Sequence, residues 1–217
     1  MLIIFDLDGT LINTIDDLGQ ACNYALQACG FATHKIEDYP RLVGNGINKL
    51  IERALPEEHR NEATVLRLRE YFVPFYDEHN CDLTRPYEGI PELLHTLKEA
   101  GHILAIASNK YQAATEKIVA QLFPNTFDVV LGEREGIARK PDPQIVYDIL
   151  STLSPIASKL SPSLYVGDSL VDAATAKAAK LPFIACTWGF CTEEQLLTAN
   201  PDYLVHHPSD ILNTLLF

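Results

Sequence analysis

Apolar residues recur at helical spacing, three or four positions apart, through residues 14–83, and no convincing strand interrupts them. Thr14 is expected to cap the first helix of this block, with Asp17 three residues on completing a capping box. Pro74 should kink or break the last one, because proline lacks the amide hydrogen that a helix interior uses. The pattern predicts three helices, at 14–30, 47–55 and 58–80.

The rest of the chain alternates short apolar runs with helical patterns. Such alternation pairs strands in parallel through right-handed crossovers, and strands that are apolar on both faces need helices on both. We therefore expect an α/β fold, a doubly wound parallel sheet formed by 1–13 and 84–217, with a helical domain at 14–83 inserted. Strands are predicted at 1–4, 103–107, 127–131, 164–166, 183–187 and 203–205, and helices at 90–100, 111–121, 143–153, 170–180, 193–198 and 209–215.

Two carboxylates stand at the end of the first predicted strand. Asp6 and Asp8 are two residues apart, so in extended backbone they face one side while Leu7 faces the packing. Gly9 allows a sharp turn, and Thr10 places a hydroxyl close by. Like charges this close are costly unless something neutralises them, and a hard divalent cation such as Mg²⁺ is the simplest partner. An acidic turn after an edge strand is the alternative explanation.

More polar residues follow other strands of the predicted sheet. Ligands of doubly wound sheets bind at the carboxyl ends of the strands, so these side chains should converge with Asp6. Each has a simpler explanation: Ser108 as a helix cap, Lys140 as a solvated lysine, and the two later acids as helix-start residues. Their coincidence at separate segments favours one site. The residues are Ser108, Asn109 and Lys110 after the strand at 103–107, Lys140 before a helix, and Asp168 and Asp172 after the strand at 164–166.

The first three carboxylates suit the chemistry of a phosphate ester. Asp6 is placed to attack phosphorus and form an aspartyl-phosphate. Asp8 can give a proton to the leaving oxygen and then take one from water. Asp6 and Asp168 can bind Mg²⁺, which prevents the phosphate dianion from repelling the nucleophile.

The remaining polar residues would support that chemistry. Ser108 and Lys140 can hold the non-bridging phosphate oxygens and balance charge in the transition state. Asp172 can orient a metal-bound water or Lys140 from behind the site. Thr10 and Asn109 are expected to contact the substrate beside them.

Four motifs resemble those of the haloacid dehalogenase-like superfamily. Their order and spacing match over nearly the whole chain. The resemblance implies a Rossmann-like core with a small helical cap inserted after the first motif, where the helical block lies. It also implies that Asp8 is a metal ligand through its backbone carbonyl. The motifs are DLDGTL at 6–11, SN at 108–109, KP at 140–141 and GDS at 167–169, continuing to Asp172.

Less specific segments resemble the phosphoglycolate phosphatase group within that superfamily. This resemblance implies a cap that closes over a small phosphorylated acid, with Asn45 and Lys49 touching its organic part. A turn residue and an exposed helix lysine are the alternative explanations for these two. The Trp-Gly-Phe segment at 188–190 departs from the group's pattern, and we expect it to lie outside the chemistry. The similar segments are LVGNG at 42–46, LIERAL at 50–55 and RPYEG at 85–89.

The composition of the chain limits the kinds of partner it can bind and the compartment in which we expect it. With 17 basic and 29 acidic residues the net charge is −12, which argues against binding to nucleic acid or an anionic membrane. No apolar run approaches the roughly 18 residues of a membrane span, and residues 2–5 are too short for a signal-peptide core. We expect a cytoplasmic protein, a monomer or a homodimer. Its five cysteines lack a C-x-x-C pair, so reduced and mostly buried thiols are expected.

The predicted function is Mg²⁺-dependent hydrolysis of a phosphomonoester through an aspartyl-phosphate, with phosphoglycolate favoured as substrate. A phosphatase of sugar phosphates, nucleotides or pyrophosphate and a sugar-phosphate mutase keep the same motifs and stay open. A haloacid dehalogenase proper needs no second acid, so Asp8 counts against it. A non-catalytic binding module is a further alternative. Such a module would be free to lose the site residues, so their presence argues against it; the residues are Asp6, Asp8, Lys140 and Asp168.

Overall fold

A computed structural model describes residues 1–153 and 163–215. The chain divides into two compact units, one formed by Met1–Ile12 with Pro86–Phe217 and the other by Asn13–Arg85. The helical unit thus starts one residue before the predicted boundary at 14 and ends two residues after the one at 83.

The first unit is built on a parallel sheet of six strands. Its strands are β1 (Leu2–Phe5), β4 (Ile103–Tyr111), β5 (Val129–Glu133), β6 (Ser163–Gly167), β7 (Phe183–Cys186) and β8 (Tyr203–Val205). They follow the order β5-β4-β1-β6-β7-β8, which confirms the predicted α/β fold with a parallel sheet. β1 lies inside the sheet, and its Leu2 stands opposite Ile103 on one side and Ser163 on the other. The two-residue strands β2 (Ile12–Asn13) and β3 (Arg85–Pro86) form a separate small sheet.

Helices follow these strands and bury the sheet. All four residues of β1 are fully buried, as a strand covered on both faces requires. One apolar cluster joins Leu2 and Ile4 of the sheet to Val146 and Ile149 of a flanking helix. The helices are α4 (Ile90–Glu99), α5 (Gln112–Leu122), α6 (Gln144–Thr152), α7 (Leu170–Ala178), α8 (Glu193–Leu197) and α9 (Asp210–Thr214).

β4 extends further than the apolar run predicts. It continues through Ser108, Asn109 and Lys110, which were expected to follow the strand. Its register against β5 shifts between Ala107 and Tyr111. Such an irregularity lets polar residues remain in a buried strand while it turns their side chains in new directions.

The second unit consists of helices. Pro74 lies inside the last helix without breaking it. That helix starts at Glu62 rather than 58, because the Asn61 side chain accepts the Thr64 N–H and caps it. The elements are α1 (Ile15–Ala28), α2 (Ile47–Ala54) and α3 (Glu62–His79), with 3₁₀ helices at Ile36–Arg41 and Glu57–His59.

The predicted capping box at α1 is wrong. Asn13 Oδ1, not Thr14, accepts the Ile15 N–H, at 3.1 Å. The buried Asp17 carboxylate instead accepts the backbone N–H groups of Leu83 and Thr84, at 2.8–3.1 Å, and the Thr84 hydroxyl at 2.7 Å. A contact 66 residues away in sequence outweighs the local one, because it satisfies three donors at once, two of them in the buried Thr84.

All five cysteines are free thiols, but only Cys22 and Cys186 are buried. The expectation of mostly buried thiols is therefore wrong, since Cys29, Cys81 and Cys191 are partly exposed. Within residues 1–153 and 163–215, no helix combines the length and the apolar character that crossing a bilayer requires.

Asp17→Asn should destabilise the protein, by about 1–3 kcal/mol in the free energy of unfolding. The amide offers one acceptor oxygen and turns its NH₂ toward groups that are themselves donors. Urea unfolding followed by circular dichroism measures the change. Asp16→Asn is the matched control, because Asp16 is exposed on the same helical turn, and it should change stability by less than about 0.5 kcal/mol. Equal stability of the two variants would contradict the assigned role of Asp17.

Candidate active site

Asp6 leaves β1 at the centre of the sheet, with its N–H bonded to the Val166 carbonyl at 2.9 Å. The chain then turns tightly, and the Leu11 N–H bonds back to the Leu7 carbonyl at 2.9 Å. Gly9 has a φ of +88°, and a Cβ there would lie 2.3 Å from Asp168 Oδ2. Only glycine fits this turn, because backbone conformation and space both exclude a side chain.

Lys140 is the charged centre of the site. Its Nζ lies 2.8 Å from Asp6 Oδ1, Asp172 Oδ1 and the Ala107 carbonyl oxygen. The Tyr165 hydroxyl is 3.1 Å away. The residue is only 4% exposed, so the alternative of a solvated lysine is wrong.

The lysine keeps its proton in this setting. Burial acts to lower the pKa of an ammonium, but the carboxylates of Asp172 and Asp6 outweigh it, and the Lys140 pKa lies well above its ordinary value. Burial also raises the pKa of the Tyr165 phenol, which therefore remains a neutral hydroxyl beside the ammonium.

Asp172 acts on both a helix and the lysine. One oxygen contacts Lys140, and the other accepts the Ser169 N–H at 3.1 Å and the Ser169 hydroxyl. Ser169 in turn accepts the Asp172 N–H, which completes a capping box at the start of α7. With no exposed surface and both oxygens bound, Asp172 is suited to orienting Lys140.

Asp168 is held from two directions. Its Oδ1 accepts the Thr10 hydroxyl and its Oδ2 accepts the Phe190 N–H, both at 2.8 Å. Burial raises the pKa of this carboxyl to about 7, the Asp172 carboxylate adds to the rise, and the Phe190 N–H opposes it. Thr10 is fully buried and its hydroxyl contacts Asp168, which indicates that it positions this carboxylate. A substrate contact by Thr10 stays a prediction.

The segment at 188–190 contacts two residues of the candidate site, and the expectation that it takes no direct part in the chemistry stays a prediction. Phe190 reaches Asp168 through its backbone, and the Trp188 indole N–H donates to the Thr10 carbonyl at 3.0 Å. A Cβ on Gly189 would lie 2.2 Å from the Asp168 Cβ. The sequence signal that could have found this segment is a tryptophan beside a glycine directly after a strand.

Three carboxylates form a compact acidic cluster. One oxygen each of Asp6, Asp168 and Asp172 lies within 4.8 Å of the others. Burial and then the Asp172 carboxylate raise the pKa of Asp6 well above its usual range, against the lowering effect of Lys140. One ammonium cannot balance three carboxylates, and an all-oxygen donor set suits a hard divalent cation.

Asp8 forms an ion pair with a second buried lysine, Lys110. Lys110 Nζ lies 3.2 Å from Asp8 Oδ1, and the lysine side chain is only 3% exposed. No separate role for Lys110 is predicted from the sequence. The signal in the sequence is its position directly after Ser108 and Asn109, at the strand end where the site residues converge, and a buried lysine in such a place is normally paired.

Ser108 and Asn109 organise the backbone around the two lysines. Ser108 Oγ accepts the Lys110 N–H at 3.2 Å, and α5 starts only at Gln112, so the helix-cap alternative is wrong. Asn109 bonds the Lys140 carbonyl at 3.2 Å and the Lys140 N–H at 3.0 Å. These contacts indicate that Asn109 positions Lys140. A substrate contact by Asn109 stays a prediction.

The two candidates in the helical unit have local partners. The Asn45 side chain accepts a hydrogen bond from Arg53, which also donates to the Leu42 carbonyl at 2.9 Å. Lys49 is exposed and pairs with Glu52 at 2.6 Å. A substrate contact by either residue stays a prediction.

Comparison with known proteins agrees with this geometry. The model of the haloacid dehalogenase-like hydrolase family matches residues 3–186. A phosphoglycolate phosphatase of Mesorhizobium japonicum is 33% identical over 95% of this chain and 90% of its own length. A phosphoglycolate phosphatase of Aquifex aeolicus is 30% identical over 99% and 96% of the two chains.

Among solved structures, a Lactobacillus delbrueckii subsp. bulgaricus protein for which the same activity has been proposed superposes with a TM-score of 0.90. It is 31% identical, and the match covers 99% of this chain and 98% of the other. These findings confirm the resemblance carried by the four motifs. The chain belongs to the haloacid dehalogenase-like hydrolase family.

Proposed function

We propose that this hydrolase cleaves small phosphomonoesters in a Mg²⁺-dependent reaction, with 2-phosphoglycolate as its preferred substrate. One observation carries the proposal: Asp6, at the end of the central strand, shares the buried Lys140 with Asp172 and lies in one carboxylate cluster with Asp168. This arrangement offers a nucleophile, a fixed positive charge and an oxygen-lined cation site in one place.

The reaction proceeds in two displacements. An Asp6 oxygen attacks phosphorus, the bond between phosphorus and the ester oxygen breaks, and Asp8 gives its proton to the departing alkoxide. A water molecule then attacks the phosphorus of the aspartyl-phosphate while Asp8 takes a proton from it. Inorganic phosphate leaves, and both carboxyl groups return to their starting states.

Lys140 and Ser108 would hold the non-bridging oxygens of the phosphoryl group and balance its negative charge. A buried ammonium beside the nucleophile strengthens electrostatic stabilisation, because water does not screen it. Asp172, Tyr165 and the Ala107 carbonyl hold that ammonium in place, so little reorganisation is needed when charge develops.

The acidic cluster supports a magnesium site. Asp6 and Asp168 would hold the ion, with the Asp8 carbonyl as the ligand that the family resemblance implies. Both oxygens of Asp172 already accept hydrogen bonds, from Lys140 and Ser169, so this residue would orient Lys140 rather than bind the ion. When bound, Mg²⁺ supplies positive charge that offsets the repulsion between a carboxylate nucleophile and a phosphate dianion.

The preference for phosphoglycolate rests on the relatives, whose names state that activity at 30–34% identity over most of the chain. Phosphate release from phosphoglycolate, sugar phosphates, nucleotides and pyrophosphate tests it. We expect the highest kcat/KM for phosphoglycolate. Similar values across the panel would leave a general phosphatase, and return of the phosphoryl group to another position of a sugar would identify a mutase.

Asp6→Asn should lower phosphate release by about 10³-fold or more, because the amide cannot act as the nucleophile. The assay uses p-nitrophenyl phosphate and phosphoglycolate with Mg²⁺, and EDTA should abolish the wild-type rate. Asp16→Asn, in an exposed position, is the control and should retain full activity. A wild type without Mg²⁺-dependent turnover of any substrate would overturn the enzyme proposal.

Asp8→Asn should separate the two displacements. Nitrophenolate leaves without a proton, whereas the alkoxide of phosphoglycolate needs one. We therefore expect this variant to release a burst of about one equivalent of nitrophenolate and then to slow, while phosphoglycolate turnover falls from the first cycle. Rapid-mixing absorbance measures the burst. An equal loss on both substrates, with no burst, would contradict the role of Asp8 in the second step.

Lys140→Met should destabilise the metal-free protein by about 3–5 kcal/mol, because it leaves buried carboxylates without their positive partner. Urea unfolding in EDTA measures the difference. Lys177→Met removes an exposed lysine and should change stability by less than about 0.5 kcal/mol. A Lys140→Met protein as stable as this control would show that the lysine does not balance the cluster.

A further inference from the structure

We propose that the 188–190 segment is a positioning element for the magnesium site, and that the Trp188 indole N–H sets the affinity for the ion by fixing Thr10 and, through it, Asp168. The inference rests on the proposed magnesium site. It assigns a role to side-chain and backbone groups that lie outside the four motifs.

Backbone contact is the first part of the argument. The Phe190 N–H donates to Asp168 Oδ2 at 2.8 Å. Gly189 passes so close that a Cβ would lie 2.2 Å from the Asp168 Cβ and 2.4 Å from Oδ2. The segment therefore packs directly against the carboxylate, so this backbone cannot move toward Asp168 without displacing it.

Trp188 is linked through Thr10 to the other oxygen of the Asp168 carboxylate. Its Nε1–H donates to the Thr10 carbonyl at 3.0 Å, and the Thr10 hydroxyl donates to Asp168 Oδ1 at 2.8 Å. The indole N–H can only donate, so the direction of its hydrogen bond to the Thr10 carbonyl is fixed. Two hydrogen bonds thus link Trp188 to Asp168 through the turn that follows Asp6.

The hydrogen bonds from Phe190 and Thr10 together fix the plane of the Asp168 carboxylate. Asp168 is 1% exposed, and each of its oxygens has a donor from this arrangement. Loss of an outer hydrogen-bond partner of a metal ligand typically costs about 10–100-fold in affinity. Because Trp188 acts through one intervening residue, we expect a smaller effect, about 3–10-fold.

Isothermal calorimetry with Mg²⁺ alone on the full chain tests the inference. Trp188→Phe keeps an aromatic ring and removes the donor, and Thr10→Val removes the hydroxyl at nearly constant shape. Trp188→Phe should weaken Mg²⁺ binding about 3–10-fold, and Thr10→Val, which removes a direct partner of Asp168, about 10–100-fold. Because both act on one carboxylate, the double variant should weaken it by less than the product of the two.

A positioning role also predicts how activity responds. Saturating Mg²⁺ should restore kcat of Trp188→Phe to within about twofold of wild type, since the indole does not touch the reacting atoms. Tyr147→Phe, which removes a hydroxyl from an exposed aromatic residue, is the control and should leave the Mg²⁺ affinity unchanged. Urea unfolding in EDTA identifies a variant that has simply lost its fold, and in that case Thr10→Val carries the test.

The wild-type protein provides a second readout, because Trp188 is its single tryptophan. Mg²⁺ should change tryptophan emission with the same dissociation constant that calorimetry gives, and Asp168→Asn should abolish the change. If wild type binds Mg²⁺ but Trp188→Phe binds it equally well, or if the two substitutions multiply, the inference is overturned and the magnesium site stands. If wild type binds no Mg²⁺, both fail.

Discussion

The site depends on one buried ammonium placed among carboxylates. Transferring a lone charge into a protein interior is costly, and a buried pair is stable only when each group also finds hydrogen bonds. Lys140 meets that condition through Asp6, Asp172, the Ala107 carbonyl and Tyr165. The surrounding sequence is constrained by this requirement, because each partner must reach one nitrogen atom without admitting water.

The sheet supplies these partners from distant parts of the chain. β1 brings Asp6, β4 brings Ala107, and β6 brings Tyr165, since β1 pairs with the other two strands on either side. The register shift in β4 then gives Asn109 and Lys110 directions that a regular strand would not offer. Two lysines thus meet the carboxylates that follow β1: Lys140 contacts Asp6, and Lys110 contacts Asp8.

The sequence was sufficient for the groups whose chemistry resides in a side chain. Asp6, Lys140, Asp168 and Asp172 follow strands or precede helices, and the topology of a parallel sheet brings them to one end. It was insufficient where backbone atoms make the contact. The tryptophan and glycine at 188–189 mark their segment, but residue type does not indicate that the Phe190 N–H binds Asp168 or that the Lys140 peptide groups bind Asn109. The Asp17 contact was missed for another reason, since local capping rules favoured a partner three residues away over one 66 residues away.

That contact has a consequence for how the helical unit relates to the chain that carries it. Asp17 near the beginning of Asn13–Arg85 binds Leu83 and Thr84 near its end, so the unit closes on itself by its own hydrogen bonds. A segment whose ends are tied together can be lengthened, shortened or exchanged without pulling on the strands it interrupts. The helical unit is thus a self-contained module, whose sequence is free to diversify in evolution while the residues of the sheet unit stay fixed.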